Sequence, residues 1–91
     1  MTDMDEAALR QRLIEEGFTR VFVHTDPPNK VYDEHTHTGD HVQVILEGSI
    51  DIITADGRNS YQPADRCDLA AGTPHAAVVG PDGCTYMIGE R

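Results

Sequence analysis

An all-β barrel or sandwich with one short N-terminal helix is the fold class this sequence predicts. Three observations point there. After Gly17 the chain turns into short β-branched runs, among them VFV, VQVI, IDII and AAVV. Turn residues separate these runs at roughly 8–12-residue spacing, the rhythm of antiparallel sandwiches and barrels. Helix signals appear only before Gly17. With 91 residues the chain suits one domain, residues 1–91, with the helix in 1–17 and the barrel in 18–91. A domain of this size buries only about 60–65% of its unfolded surface, so a partner subunit or a bound metal would help a modest core.

Residues 3–16 read as the helix. Thr2 or Asp3 is placed to cap it, acids fill the first turn, and Gly17 sits where a helix end favours positive φ. Leu9, Leu13 and Ile14 form a narrow apolar stripe, expected to pack across an open sheet face or barrel end. Strands follow over 18–24, 31–37, 41–47, 49–54, 58–62, 66–70, 75–79 and 84–90. Pro27 and Pro28 break the first pair, because proline cannot donate to a central ladder. Gly48 ends the third strand, and Ala55-Asp56-Gly57 makes a tight hairpin. The sequence has no internal repeat, low-complexity segment or linker.

Sixteen acids against seven bases give a net charge of −9. A surface of that sign repels phosphate backbones and anionic membranes, which argues against nucleic acid and membrane as partners and fits a small-molecule ligand. The N-terminal segment lacks the basic start and apolar middle of a signal peptide, so the expected location is cytoplasmic. Cys67 and Cys84 show no CxxC spacing and are expected to be reduced there.

Three of the five histidines crowd into Asp33–His41, DEHTHTGDH. Alternate residues on a strand share a face, so His35 and His37 point the same way. His41 keeps that parity if the Thr38-Gly39-Asp40 turn preserves it, and Gln43 and Ile45 follow it. Val42, Val44 and Leu46 then form a second apolar face, to be buried against the helix, another sheet or a second subunit. His75 opens another strand after a long stretch without histidine. Clustered interior imidazoles must either share hydrogen-bond partners or hold a metal, for which neutral imidazole is the commonest ligand. His24 stands apart and reads as a surface or hydrogen-bonded residue. Asp33 reads as a solvated rim carboxylate. No parity argument places Tyr61, Cys67, Cys84 or Tyr86, and none is assigned a role.

At these residues the sequence resembles the cupin superfamily, in particular its small single-domain members with four-histidine metal sites. The first cupin motif is Gly, five residues, His-x-His, three or four residues, Glu, six residues, Gly. Asn29, His35-Thr36-His37, His41 and Gly48 occupy those places. In the second motif Ala64, Ala70, Gly72, His75 and Val79 fill the places of Gly, Pro, Gly, His and Asn. Asn29 tolerates a left-handed conformation, whereas Ala64 suggests a turn that needs no positive φ. The resemblance covers about residues 18–91. It implies a cupin-type β-barrel, a double-stranded β-helix or jelly roll, with one divalent metal on His35, His37, His41 and His75. His41 stands where the family commonly has Glu. Four neutral ligands leave the ion its full charge, a stronger Lewis acid towards an enolate, a diketonate or an oxo acid. An octahedral ion would keep two adjacent positions open, which suits Mn²⁺, Fe²⁺ or Ni²⁺. Zn²⁺ also fits, with little room left for chemistry.

The expected protein is therefore a metal-binding cupin, probing best as a metal-dependent oxidoreductase of the dioxygenase kind on a small enol or dicarbonyl substrate. Gln43 is the expected catalytic helper, donating its amide to the substrate. The alternatives are a non-catalytic sensor or carrier and, behind both, a metal-dependent isomerase or lyase, for which the sequence offers no convincing base. A homodimer is expected from the apolar 42–46 face and the small core.

Overall fold

A computed structural model describes residues 5–91 of the chain. One helix, α1 (Glu6–Glu15), precedes six strands: β1 (Arg20–Asp26), β2 (Val31–His35), β3 (His41–Thr54), β4 (Gly57–Tyr61), β5 (Arg66–Leu69) and β6 (His75–Glu90). The helix cap is Asp5, whose carboxylate accepts from the Ala8 amide at 3.1 Å. The expected caps, Thr2 and Asp3, lie outside the described residues. Gly17 has φ +99°, as its place at the helix end requires.

Eight expected strands become six because neither Gly48 nor the Gly80–Gly83 segment ends its strand. β3 runs through Gly48 and β6 runs through residues 80–83, with register shifts on either side of Gly48. Gly48 has φ +76°, and a Cβ there would collide with the Gly83 carbonyl, so the bend depends on glycine at this crossing. Each long strand therefore serves two sheets. The first halves of β3 and the second half of β6 lie between β5 and β1; the remaining halves lie between β4 and β2. All pairings are antiparallel, and the result is the cupin-type β-barrel.

Turn chemistry explains the links. Asn29 has φ +64°, in keeping with its tolerance of that region. Ala64 corrects an expectation: it too has positive φ, +78°. The Asp65 amide donates to the Gln62 carbonyl at 2.8 Å, closing a type II turn with Pro63 and Ala64 at its centre. That turn demands positive φ at its third residue whether or not glycine is present.

Two apolar clusters lie on opposite sides of β3. Ile45, Ile50, Ile52, Ala77, Val79, Tyr86 and Ile88 fill the barrel interior. Val42, Val44 and Met87 face outward against Leu13 and Phe18, with Leu9 and Val21 packed at the edge. The helix thus covers Val42 and Val44 of the expected second face, which therefore need no second subunit, while Leu46 lies outside this cluster and is half-buried. Ile14 does not join the stripe; it is 48% exposed. Cys67 and Cys84 are buried and free. Among the described residues no helix is long and apolar enough to cross a membrane.

Candidate metal centre and its cavity

The barrel holds a half-open cavity of about 230 Å³ lined by all four predicted ligands and by Gln43. His35 ends β2 and lies opposite His75, the first residue of β6, so one cross-strand pair supplies two imidazoles. Their ring centroids are 4.3 Å apart. His37 comes from the connection after β2, since the strand expected to reach it stops at His35. His41 opens β3 and faces inward with Gln43, as parity predicts, and is paired with Glu90 across β6. Asp33 is exposed, at the rim.

Two sets of potential ligand atoms lie within 4.8 Å of one another: His35, His37 and His75, and His37, His41 and Glu90. The four histidines are thus joined through His37, whose ring stacks on His41 with centroids 4.4 Å apart. The tautomers are informative. His35 Nδ1 lies 2.7 Å from the Asp33 carbonyl and His75 Nδ1 lies 2.9 Å from the Thr73 carbonyl. A carbonyl can only accept, so each Nδ1 carries the proton and each Nε2 keeps a free lone pair. Backbone orientation of this kind is typical of ligating histidines.

Around His41 the polar accounting is incomplete. The Gln43 amide donates to His41 Nε2 at 3.1 Å, leaving His41 Nδ1 and Gln43 Oε1 buried without partners. His41 Nδ1 is 3.6 Å from a Glu90 carboxylate oxygen. This is not an ion pair at neutral pH: burial, then His37, His75 and His35, push the His41 pKa down to about 4. His37 is lowered as well, by burial first and by His75 and His35 next. The free Nε2 lone pairs of His35 and His75, beside His37, fit a divalent transition ion, and His41 would join them by giving up its bond from Gln43.

Several residues in and behind the cavity wall were not anticipated. Asp26, only 2% exposed, ends β1 behind the cavity wall. Tyr32 Oη and Tyr86 Oη each donate to its carboxylate at 2.6 Å, and His24 Nε2 donates at 2.8 Å. Burial raises the Asp26 pKa, but the bonds from Tyr32, Tyr86 and His24 outweigh it and the net shift is downward. Burial and the Asp26 carboxylate push Tyr32 up to about 12 and Tyr86 upward too. His24 is thus hydrogen-bonded, as one branch of the sequence reading had it, and also lines the cavity. Glu90 was missed. The available signal was parity on the last strand, where Tyr86, Ile88 and Glu90 alternate towards one side and all three line the cavity.

No family model matches this sequence, and no curated protein matches it. Solved structures do. A cupin-2 domain protein from Shewanella frigidimarina superposes with a TM-score of 0.67 at 21% identity, covering 77% of this chain and 67% of that one. The DMSP lyase DddQ from Ruegeria pomeroyi gives 0.72 at 21% identity, with 78% of this chain and 36% of that chain covered. The polyketide cyclase RemF from Streptomyces resistomycificus gives 0.65 at 24% identity, with 85% and 58% covered. The chain therefore spans about a third of the lyase's length and little more than half of the cyclase's. At these identities the likeness is one of fold, and that fold is the cupin barrel.

Proposed function

We propose that the cavity holds one divalent transition metal, Mn²⁺, Fe²⁺ or Ni²⁺, on His35, His37, His41 and His75, and that the protein is a metal-dependent oxidoreductase of the dioxygenase kind. The observation that carries the reading is the pair of backbone-fixed tautomers, which leave Nε2 of His35 and His75 as lone-pair donors beside His37. A bound ion would supply Lewis acidity and a template for a small enol or dicarbonyl substrate. Gln43 would orient that substrate through its free Oε1, which can accept from an enol O–H, whereas the N–H expected to donate is committed to His41. At about 230 Å³ the cavity lies below the range of drug-sized pockets and suits a small molecule. Oxidative C–C cleavage would draw on O₂ as co-reactant.

A lyase or isomerase reading gains one observation. The sequence offers no convincing base, whereas Glu90 lies within reach of His37 and His41 and lines the cavity. It could remove a proton from carbon next to a carbonyl. Fold-level neighbours that are a lyase and a cyclase agree with this in kind only. The third reading, a sensor or carrier, requires tight binding without turnover.

Metal analysis of the protein as purified, with His37→Ala and His75→Ala, tests the site; unchanged metal content in both variants would refute it. Oxygen uptake by Mn- or Fe-loaded protein with a panel of diketones and enols tests the oxidoreductase. Solvent deuterium entering the same compounds without oxygen uptake would favour the Glu90 alternative. We further propose a homodimer in the cytoplasm; the outer edge of β2, with Val31 62% exposed, supports pairing, and sedimentation of the full chain tests it.

A further inference from the structure

The geometry points to a second recognition element in this cavity: Tyr32 and Tyr86, locked by Asp26, form a hydrogen-bond-accepting wall that selects a ligand bearing a hydroxyl group. This rests on the metal-centre reading for the other end of the ligand. A tyrosine hydroxyl has one proton to donate and two lone pairs to accept with. Here both protons are committed to the same carboxylate, at 2.6 Å each. His24 Nε2–H is committed to it as well. Asp26 itself does not line the cavity, but all three of its donors do. What the wall can still offer an occupant is therefore lone pairs.

The surroundings define which donor fits. Phe22 and Ile88 line the same cavity and belong to the apolar cluster that holds the tyrosines. An ammonium group on this wall would have to leave water for a place whose carboxylate, Asp26, is already shared by three donors, with Glu90 at the histidine end. A carboxylate or carbonyl would set acceptor against acceptor. A neutral hydroxyl loses least on entering and finds an acceptor in place. Tyr32 and Tyr86 line the same small cavity as the four histidines, so one small molecule can set its hydroxyl on this wall and its other oxygens towards the metal centre. The ligand class is a hydroxylated oxo acid or its enol.

Matched pairs test this. Hydroxypyruvate is compared with α-ketobutyrate, and α-keto-γ-hydroxybutyrate with α-ketovalerate; in each pair a methyl replaces the hydroxyl. Binding to Mn²⁺-loaded and metal-free protein is followed by calorimetry and by amide chemical shifts. The expected result is a preference of about tenfold for the hydroxylated member of at least one pair. Tyr32→Phe and Tyr86→Phe should each reduce that preference to about twofold or less, with the methyl compounds binding as before. Tyr32→Phe keeps the test usable should the more deeply buried Tyr86→Phe fail to fold. Equal affinities within both pairs, absence of any binding, or a preference that survives in both variants overturns the proposal. Metal content measured on the same samples judges the metal centre separately. If no Mn²⁺ is retained, that reading falls, and the hydroxyl preference of the metal-free protein alone decides this one.

Discussion

The two ends of the cavity solve the problem of buried polarity in opposite ways. At the aspartate end one carboxylate accepts three hydrogen bonds and every donor aimed at it is matched. At the histidine end four imidazoles converge, His41 Nδ1 and Gln43 Oε1 have no partner, and burial, with the neighbouring rings second, lowers the pKa of His37 and His41. A satisfied network fixes side chains in place. An unsatisfied one, in a fold whose buried polar groups are otherwise bonded, is a place where binding supplies the missing partners. The first end is thus a bonded wall, and the second is where the proposed ion would bind.

Substitutions should separate the two ends, the largest effect coming from the ligands. His75→Ala is expected to weaken Mn²⁺ binding by about two to three orders of magnitude, since loss of groups that merely orient ligands already costs 10–100-fold. A metal titration showing less than a tenfold change would erase the distinction. Acid should act next, and on the histidine end of the metal-free protein. The His41 pKa is lowered in the folded state, so between about 6.5 and 4 the unfolded chain binds the extra proton and the native state does not. Stability is then fully present above 6.5 and falls as the pH drops through that window, by at most about 3 kcal/mol. Urea unfolding at several pH values reads this directly; a flat profile between pH 7 and 4.5 would contradict it. Bound metal should leave over the same range, because ligation needs neutral imidazole.

Asp26→Asn tests the other end. The amide presents N–H to groups that already donate, and a cost of about 2 kcal/mol is expected, or about 10 °C in Tm. Metal affinity should stay within about threefold, as the change touches no ligand. A large loss of metal with little change in Tm would show that the two ends are one network. The smallest effect belongs to Gln43→Leu, which removes one orphaned atom along with one hydrogen bond. Stability of the metal-free protein should change by less than about 1 kcal/mol. A greater loss would mean that Gln43 Oε1 has a partner after all.

Much of the histidine end was legible because its information is local. His35, His37, His41 and Gln43 lie within one short stretch, where strand parity sets the facing of His41 and Gln43 and the short connection after His35 carries His37 to the same cavity. The aspartate end depends on register between strands far apart. His24 meets Tyr86 only because β1 pairs with β6, and Tyr32 reaches Asp26 across the Pro27-Pro28 corner. No periodicity encodes such meetings. The strand count was overestimated for a related reason. Glycine marks bends as readily as breaks, and Gly48 bends β3 without interrupting its pairing with β6. Ala64 shows the converse, a turn that demands a left-handed residue without advertising it by glycine.

Sharing β3 and β6 between both sheets bears on the order in which the molecule assembles. Neither sheet can be completed while the other is absent, and β1 meets β6 only after some sixty residues have been synthesised between His24 and Tyr86. Such non-local closure makes for slow, all-or-none folding. His75 is delivered by the same strand, so the imidazole cluster comes together late, and an ion offered early in refolding would meet only the DEHTHTGDH stretch of an unfinished site.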